Sequence, residues 1–219
     1  MKLPKKSVQI LLDKKNDWIY KYFNNFKISK SIRDRYKIDI SNKLEKTHKK
    51  EILFIVGVTK KLSLNSLSKY KKKLVIHESN LPKGRGFSPI KKQILKKIYK
   101  IKCCLIECDE KIDGGDIYET EFLHIKKNDL YDDIRMKQYE TTLKLINKFL
   151  KKYPNVKSKK QKGKPSYFRR LKSKDDEINP SKNIISQFDL LRSTDYKNHQ
   201  NFFYINKKKY FIRISKNKI

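Results

Sequence analysis

The densest group of chemically useful side chains lies at 77–89: His77-Glu78-Ser79-Asn80-Leu81-Pro82-Lys83-Gly84-Arg85-Gly86-Phe87-Ser88-Pro89. It begins with a histidine directly after the apolar run Leu74-Val75-Ile76, which places the imidazole at the carboxyl end of a buried strand. Open α/β sheets bind ligands just outside that end. A second loop, Ile112-Asp113-Gly114-Gly115-Asp116, follows the next apolar run, Ile101 to Cys108, and is expected to open on the same edge. A histidine and an aspartate in neighbouring loops suit general acid–base work, the carboxylate orienting the imidazole and favouring its protonated form. The same residues have a structural reading: a strand-end histidine satisfied by its neighbours, and Gly-Gly-Asp as a turn.

The elements that must position these loops read as alternating strands and helices. Val8–Leu12, Tyr36–Ile40, Ile52–Val58, Leu74–His77 and Ile101–Cys108 are short apolar runs, and ILFIVGV at 52–58 suits a strand buried on both faces of a parallel sheet. Helices are expected from Asp17 through Phe26, over Leu64–Tyr70 and Pro89–Lys97, and over Asn128–Lys152, whose Leu130, Ile134, Leu143, Ile146 and Phe149 share one stripe. Trp18 reads as a residue packing its helix on the sheet. This alternation predicts an α/β fold with a mainly parallel sheet and helices on both faces. Residues 1–152 form the expected catalytic domain, and 153–180, with Pro154, Gly163, Pro165 and Pro180, a connecting arm. Residues 181–219 form a small subdomain: a helix capped by Ser181, then a β-hairpin over Phe202–Ile214 turning near Asn206–Lys209.

The 219 residues carry 56 Lys+Arg against 23 Asp+Glu, a formal net charge of +33. Such charge points first to nucleic acid. Yet only 8 of the basic residues are Arg, and the excess of Lys, Asn, Ile and Tyr is what an A/T-rich coding sequence produces. The run Lys157–Lys164 (KSKKQKGK) is the best candidate nucleic-acid patch, with a solvated linker as its alternative. No apolar run approaches the roughly 18 residues of a membrane span. Neither a signal-peptide cleavage pattern nor a disulfide or zinc spacing among Cys103, Cys104 and Cys108 is present, so a cytoplasmic protein without bound metal is expected. His48, His124 and His199 have no partner at metal spacing.

HESNLPKGRGFSP at 77–89, followed by IDGGDIY at 112–118, resembles the folate-dependent formyltransferase family, which includes methionyl-tRNA and nucleotide-sugar N-formyltransferases. The resemblance covers residues 50–150 well and the ends more loosely; Gln187–Arg192 with the hairpin that follows resembles the C-terminal subdomain of the sugar enzymes. It implies a Rossmann-like formyltransferase fold and 10-formyltetrahydrofolate as donor. His77 and Asp113 match the family's catalytic pair. The backbone of Asp113, Gly114, Gly115 and Asp116 would lie beside the pterin. Ser79, Lys83 and Arg85 would meet the acceptor. Apart from the resemblance, Tyr167, Phe168 and Arg192 read either as closing over the acceptor or as packing the small subdomain onto the main sheet. In the family's chemistry the histidine stabilises a tetrahedral oxyanion while the aspartate supports it. One position departs: where the family has an oxyanion-side Asn two residues before the histidine, this chain has Val75, with Ser79 and Asn80 as candidate replacements.

The acceptor implied is a small amine. Leu11-Leu12-Asp13-Lys14-Lys15 lacks the glycine-rich turn that would cradle a ribonucleotide phosphate. With its end at residue 219, the chain is expected to lack the full tRNA-binding domain of a conventional methionyl-tRNA formyltransferase. A nucleotide-linked amino sugar therefore leads. The alternatives are tRNA and a decayed scaffold that binds RNA; a homo-oligomer is compatible with all three.

Overall fold

The structure is a computed structural model that describes residues 4–13, 17–23, 26, 28–44, 48–60 and 62–217. The side chains of Asp17, Trp18 and Leu64, and residues Lys14 and Lys15, lie outside what is described, and with them the expectations for Trp18 and for the turn after the first strand.

Six strands form the main sheet: β1 (Lys6–Leu12), β2 (Tyr36–Ser41), β3 (Lys50–Val56), β4 (Tyr70–His77), then β6 (Lys100–Glu107) and β7 (Ile117–His124), in the order β2-β1-β3-β4-β6-β7. The first four run parallel. β1 and β3 sit between neighbours and are buried on both faces, which is why their sequences read as near-continuous apolar runs.

Alternate strand residues define two layers. Val8, Ile10, Ile52, Phe54, Leu74 and Ile76 pack beneath α1 (Asp17–Phe23), α2 (Lys30–Arg35), α4 (Pro89–Leu95) and the long α5 (Tyr131–Lys152). Leu11, Leu53 and Ile55 point the other way, onto Leu67 of the short α3 (Leu64–Leu67) and Tyr70. Helices thus lie on both faces, but unequally. With Leu74 and Ile76 on the thickly covered face, Val75 and His77 belong to the thin one.

The strand after α4 departs from the expected direction. β6 pairs antiparallel with β4, Cys104 opposite His77 and Glu107 opposite Leu74. Seven residues of α4 advance about 10 Å, against roughly 26 Å for the eight residues of β4, so the chain re-enters the sheet from the His77 end instead of crossing back. The loop after β6 therefore leaves from the other direction, beside Leu74, and does not open on the His77 edge as the sequence suggested; it folds back over the thin face to reach that edge. β7, paired antiparallel along β6, was not legible as a strand because Glu119 and Glu121 interrupt its apolar pattern. Those carboxylates pair with Lys152 and Lys148 of α5.

Beyond α5 the chain runs back along the thin face. There β8 (Tyr167–Phe168) pairs with β5 (Arg85–Gly86). After a 3-10 turn at Ser173–Asp176 comes α6 (Ile184–Ser193), whose N-cap is Asn183 and not Ser181: the Asn183 Oδ1 accepts from Ser186 N–H at 2.8 Å. The hairpin is present as β9 (Asn201–Ile205) and β10 (Lys208–Ile212). Asn206 and Lys207 both have φ > 0 (48° and 62°), the conformation of a two-residue turn matched to strand twist.

Candidate active site

The two loops singled out in the sequence meet. His77 is 4% exposed, and its Nδ1 lies 3.3 Å from Asp113 Oδ2. Its Nε2 lies 2.8 Å from the Gly84 carbonyl. Both ring nitrogens thus face acceptors. The Nε2 contact with the Gly84 carbonyl is a hydrogen bond, whereas Nδ1 and Asp113 stand at ion-pair distance. Asp113 Oδ2 also accepts the Gly86 N–H at 2.8 Å, so the carboxylate joins the histidine to the 79–86 loop.

Asp113 has φ = 49°, a left-handed conformation that Asp tolerates better than most residues. Two further features hold its loop. A Cβ on Gly115 would lie 2.0 Å from the Glu107 carbonyl oxygen, so only glycine permits this crossing. Gln161, on the arm, donates through Nε2 to the carbonyls of Asp113 and Gly115, each at 2.8 Å. Asp116 accepts from Ser158 at 3.3 Å through its side chain. Sequence reasoning passed over Gln161 as part of a lysine-rich run; nothing in local composition distinguishes it, because its partners lie in two other loops.

Arg85 is turned inward. Its Nη2 donates to Gln161 Oε1 at 2.7 Å, and Nη1 lies 3.4 Å from the Tyr167 hydroxyl. Lys83 is exposed, and so is Asn80, whose carbonyl accepts the Lys83 N–H at 3.1 Å. Ser79 is 2% exposed, and its Oγ is buried without a hydrogen-bond partner. Its Cβ lies 3.2 Å from where a Cβ on Gly84 would stand, beside the residue whose carbonyl meets His77. Val75 packs between the Leu11–Leu53–Ile55 cluster and Leu81, Cys104 and Ile106, and supplies no side-chain donor. Of the two candidate replacements for the missing Asn, Ser79 is buried with its hydroxyl unpartnered, whereas Asn80 is exposed.

Glu78 points to the opposite face, where Gln138 of α5 donates to its carboxyl. Burial pushes the Glu78 pKa above its ordinary value, opposed by His77, Gln138 and Arg135. Cys103 and Cys104 are core residues whose thiol pKa values burial pushes up. Phe168 closes against Gly84, but Arg192 lies elsewhere: it is 1% exposed and anchors α6 by donating to Asp189 and to the carbonyls of Lys126 and Asp129. A cavity of about 200 Å³ beside Arg192, lined also by Leu130, Tyr196 and Ile212, shares no residue with the His77 site. Among the described residues no three His, Cys, Asp or Glu side chains gather to hold a metal.

No family model matches the chain. A 98-residue stretch is 33% identical to methionyl-tRNA formyltransferase of Francisella tularensis subsp. novicida. That stretch is 45% of this chain and 31% of the relative, so the match spans about a third of the relative's length. The likeness in structure runs further. Methionyl-tRNA formyltransferase from Clostridium thermocellum superposes with a TM-score of 0.80 over 98% of this chain and 94% of that one, at 22% identity. This chain has the formyltransferase fold. A 4-N formyltransferase from Francisella tularensis gives a TM-score of 0.71 over 98% and 99% of the two chains, at 18% identity. HypX from Aquifex aeolicus, in complex with tetrahydrofolic acid, gives 0.70 over 95% of this chain and 37% of that one, at 13% identity. The formyltransferase fold found here is thus shared by proteins whose names specify tRNA and others that do not.

Proposed function

We propose that this protein transfers a formyl group from 10-formyltetrahydrofolate to a primary amine. The observation that carries the reading is the contact between His77 and Asp113, made by the two loops that bear the family-like motifs. The residues fit such a donor: a buried, unpartnered Ser79 hydroxyl stands beside Gly84, and the Asp113–Asp116 loop is held in place by the close approach of Gly115 to the Glu107 carbonyl. When bound, the folate supplies the formyl group. Asp113 Oδ2, 3.3 Å from Nδ1, orients the ring. The Nε2 proton, now shared with the Gly84 carbonyl, is the one His77 offers to developing negative charge once that carbonyl yields. Ser79 Oγ is the second donor in place of the absent Asn. On this reading residues 1–152 are the catalytic domain, 153–180 the arm and 181–219 an accessory subdomain.

The acceptor we favour is a nucleotide-linked amino sugar. A second reading, tRNA, draws on the exposed lysines 157, 159, 160, 162 and 164 of the arm, which flank the Asp113 loop at Gln161. No helix among the described residues is long and apolar enough to cross a membrane. The test is single-turnover release of tetrahydrofolate from 10-formyltetrahydrofolate with each acceptor class. Turnover with amino sugars and none with Met-tRNA supports the favoured acceptor; the reverse selects tRNA; no turnover with any amine overturns formyl transfer.

A further inference from the structure

The geometry points to Gln161 as a positioning residue that holds Asp113 against His77, an inference that rests on the roles proposed for that pair. Gln161 lies 48 residues beyond Asp113 in sequence, on the arm. Its single amide does three things: Nε2 spans the carbonyls of Asp113 and Gly115, and Oε1 accepts from Arg85. The orientation of the amide is fixed by these partners, since the flipped group would set an oxygen against two carbonyls and an NH2 against a guanidinium. Asp113 is therefore gripped at both ends, its carbonyl by Gln161 and its carboxylate by Gly86 N–H.

The arm brings Gln161 into place with its own backbone pairing. Lys159 and Ile117 exchange both N–H···O bonds, each at 2.8 Å, which sets the register two residues before Gln161. Further along, the Ser166 carbonyl accepts the Arg85 N–H at 2.9 Å, and the Phe168 carbonyl accepts the Phe87 N–H at 3.0 Å. The stretch from 159 to 168 is thus fastened to the Asp113 side and to the 84–87 loop, with Gln161 between them. Because Asp113 sits at φ = 49°, the peptide beyond it has a less favoured conformation to keep, and the Gln161 bond to its carbonyl keeps it. Releasing that carbonyl lets the carboxylate swing away from Nδ1, and a displacement of about 1 Å at a reacting group costs on the order of 10²-fold in rate.

The test uses the full chain labelled with ¹⁵N-histidine. The ring N–H between His77 and Asp113 should give a low-field proton resonance, identified by its loss in Asp113→Asn. Gln161→Leu should lose or broaden this resonance while the circular dichroism of the fold is retained. Gln161→Glu should do the same, because it keeps an acceptor for Arg85 but has no N–H to span the two carbonyls. In turnover, both variants should lose about 10²-fold in kcat with the acceptor KM unchanged within about threefold. Retention of the resonance in Gln161→Leu, or its absence in the wild type, overturns the inference. Loss of the resonance in a protein whose wild type transfers no formyl group supports the role of Gln161 and overturns the formyl-transfer reading alone. A resonance lost in Gln161→Leu but kept in Gln161→Glu would move the role to Arg85 pairing and likewise overturn it.

Discussion

Asp113 reaches His77 from a loop that leaves its strand beside Leu74, three residues back along β4, and the two side chains close to 3.3 Å only because that loop folds over the thin face of the sheet. The pair is therefore a product of tertiary structure at both ends. The histidine is set by a strand terminus, and the carboxylate by a glycine crossing and an amide from the arm.

If this contact is the catalytic one, removing either partner should spare the fold and stop the chemistry. His77→Ala and Asp113→Asn should each lower kcat by about 10²–10⁴-fold, the usual span for a lost acid–base group. Wild-type turnover in either variant would show that formyl transfer does not use these residues.

Ser79 should separate stability from activity. Its hydroxyl is buried without a partner, so Ser79→Ala removes an uncompensated polar group and should leave the melting temperature unchanged or raise it. As the donor in place of the family's Asn, its loss should lower kcat by about 10²-fold. Thermal melts beside single-turnover rates check both. A variant that is less stable and fully active would contradict the assignment twice.

Gly115 should not accept a side chain. With the Glu107 carbonyl 2.0 Å from the ideal Cβ position, Gly115→Ala must shift backbone, at a cost of about 1–3 kcal/mol in urea unfolding. Because the shift moves the Asp113 loop, kcat should fall as well. Gly163→Ala is the contrast: Gly163 has a positive φ (102°) and no atom within 4 Å of its Cβ position, so an added methyl brings backbone strain without a clash.

Glu78 gives the pH dependence a sign. Its pKa is raised in the folded protein, chiefly by burial. A raised carboxyl pKa contributes stability that is fully present below the unfolded value, about 4.3, and is lost as pH rises through the folded value. Glu78→Gln, which keeps an acceptor for Gln138, should thus gain stability relative to wild type as pH increases from 4 toward neutrality. Melting temperatures measured across that range read it directly; a difference that shrinks with pH would contradict the shift.

Much of the sheet was legible because β1, β3, β6 and the carboxyl half of β4 are mostly apolar and buried, a signature that needs no partner to be read. The antiparallel entry of β6 was not, since direction depends on how far α4 can carry the chain, and β7 was hidden because an edge strand shares its charges with α5. In the site, His77 and Asp113 stood out by type and loop context. Gln161 did not: its meaning comes wholly from Asp113, Gly115 and Arg85, residues at least 46 positions away. The cap at Asn183 and not Ser181 is a smaller instance: both side chains can cap, and only where the helix begins decides between them.

The most direct measurement is calorimetric titration of the stable donor analogue 5-formyltetrahydrofolate into the wild type and into Asp113→Ala. Saturable binding to the wild type and its loss in the variant are expected, with both proteins folded by circular dichroism. No binding to the wild type at millimolar analogue, or equal binding to both, would contradict the folate site at the Asp113 loop.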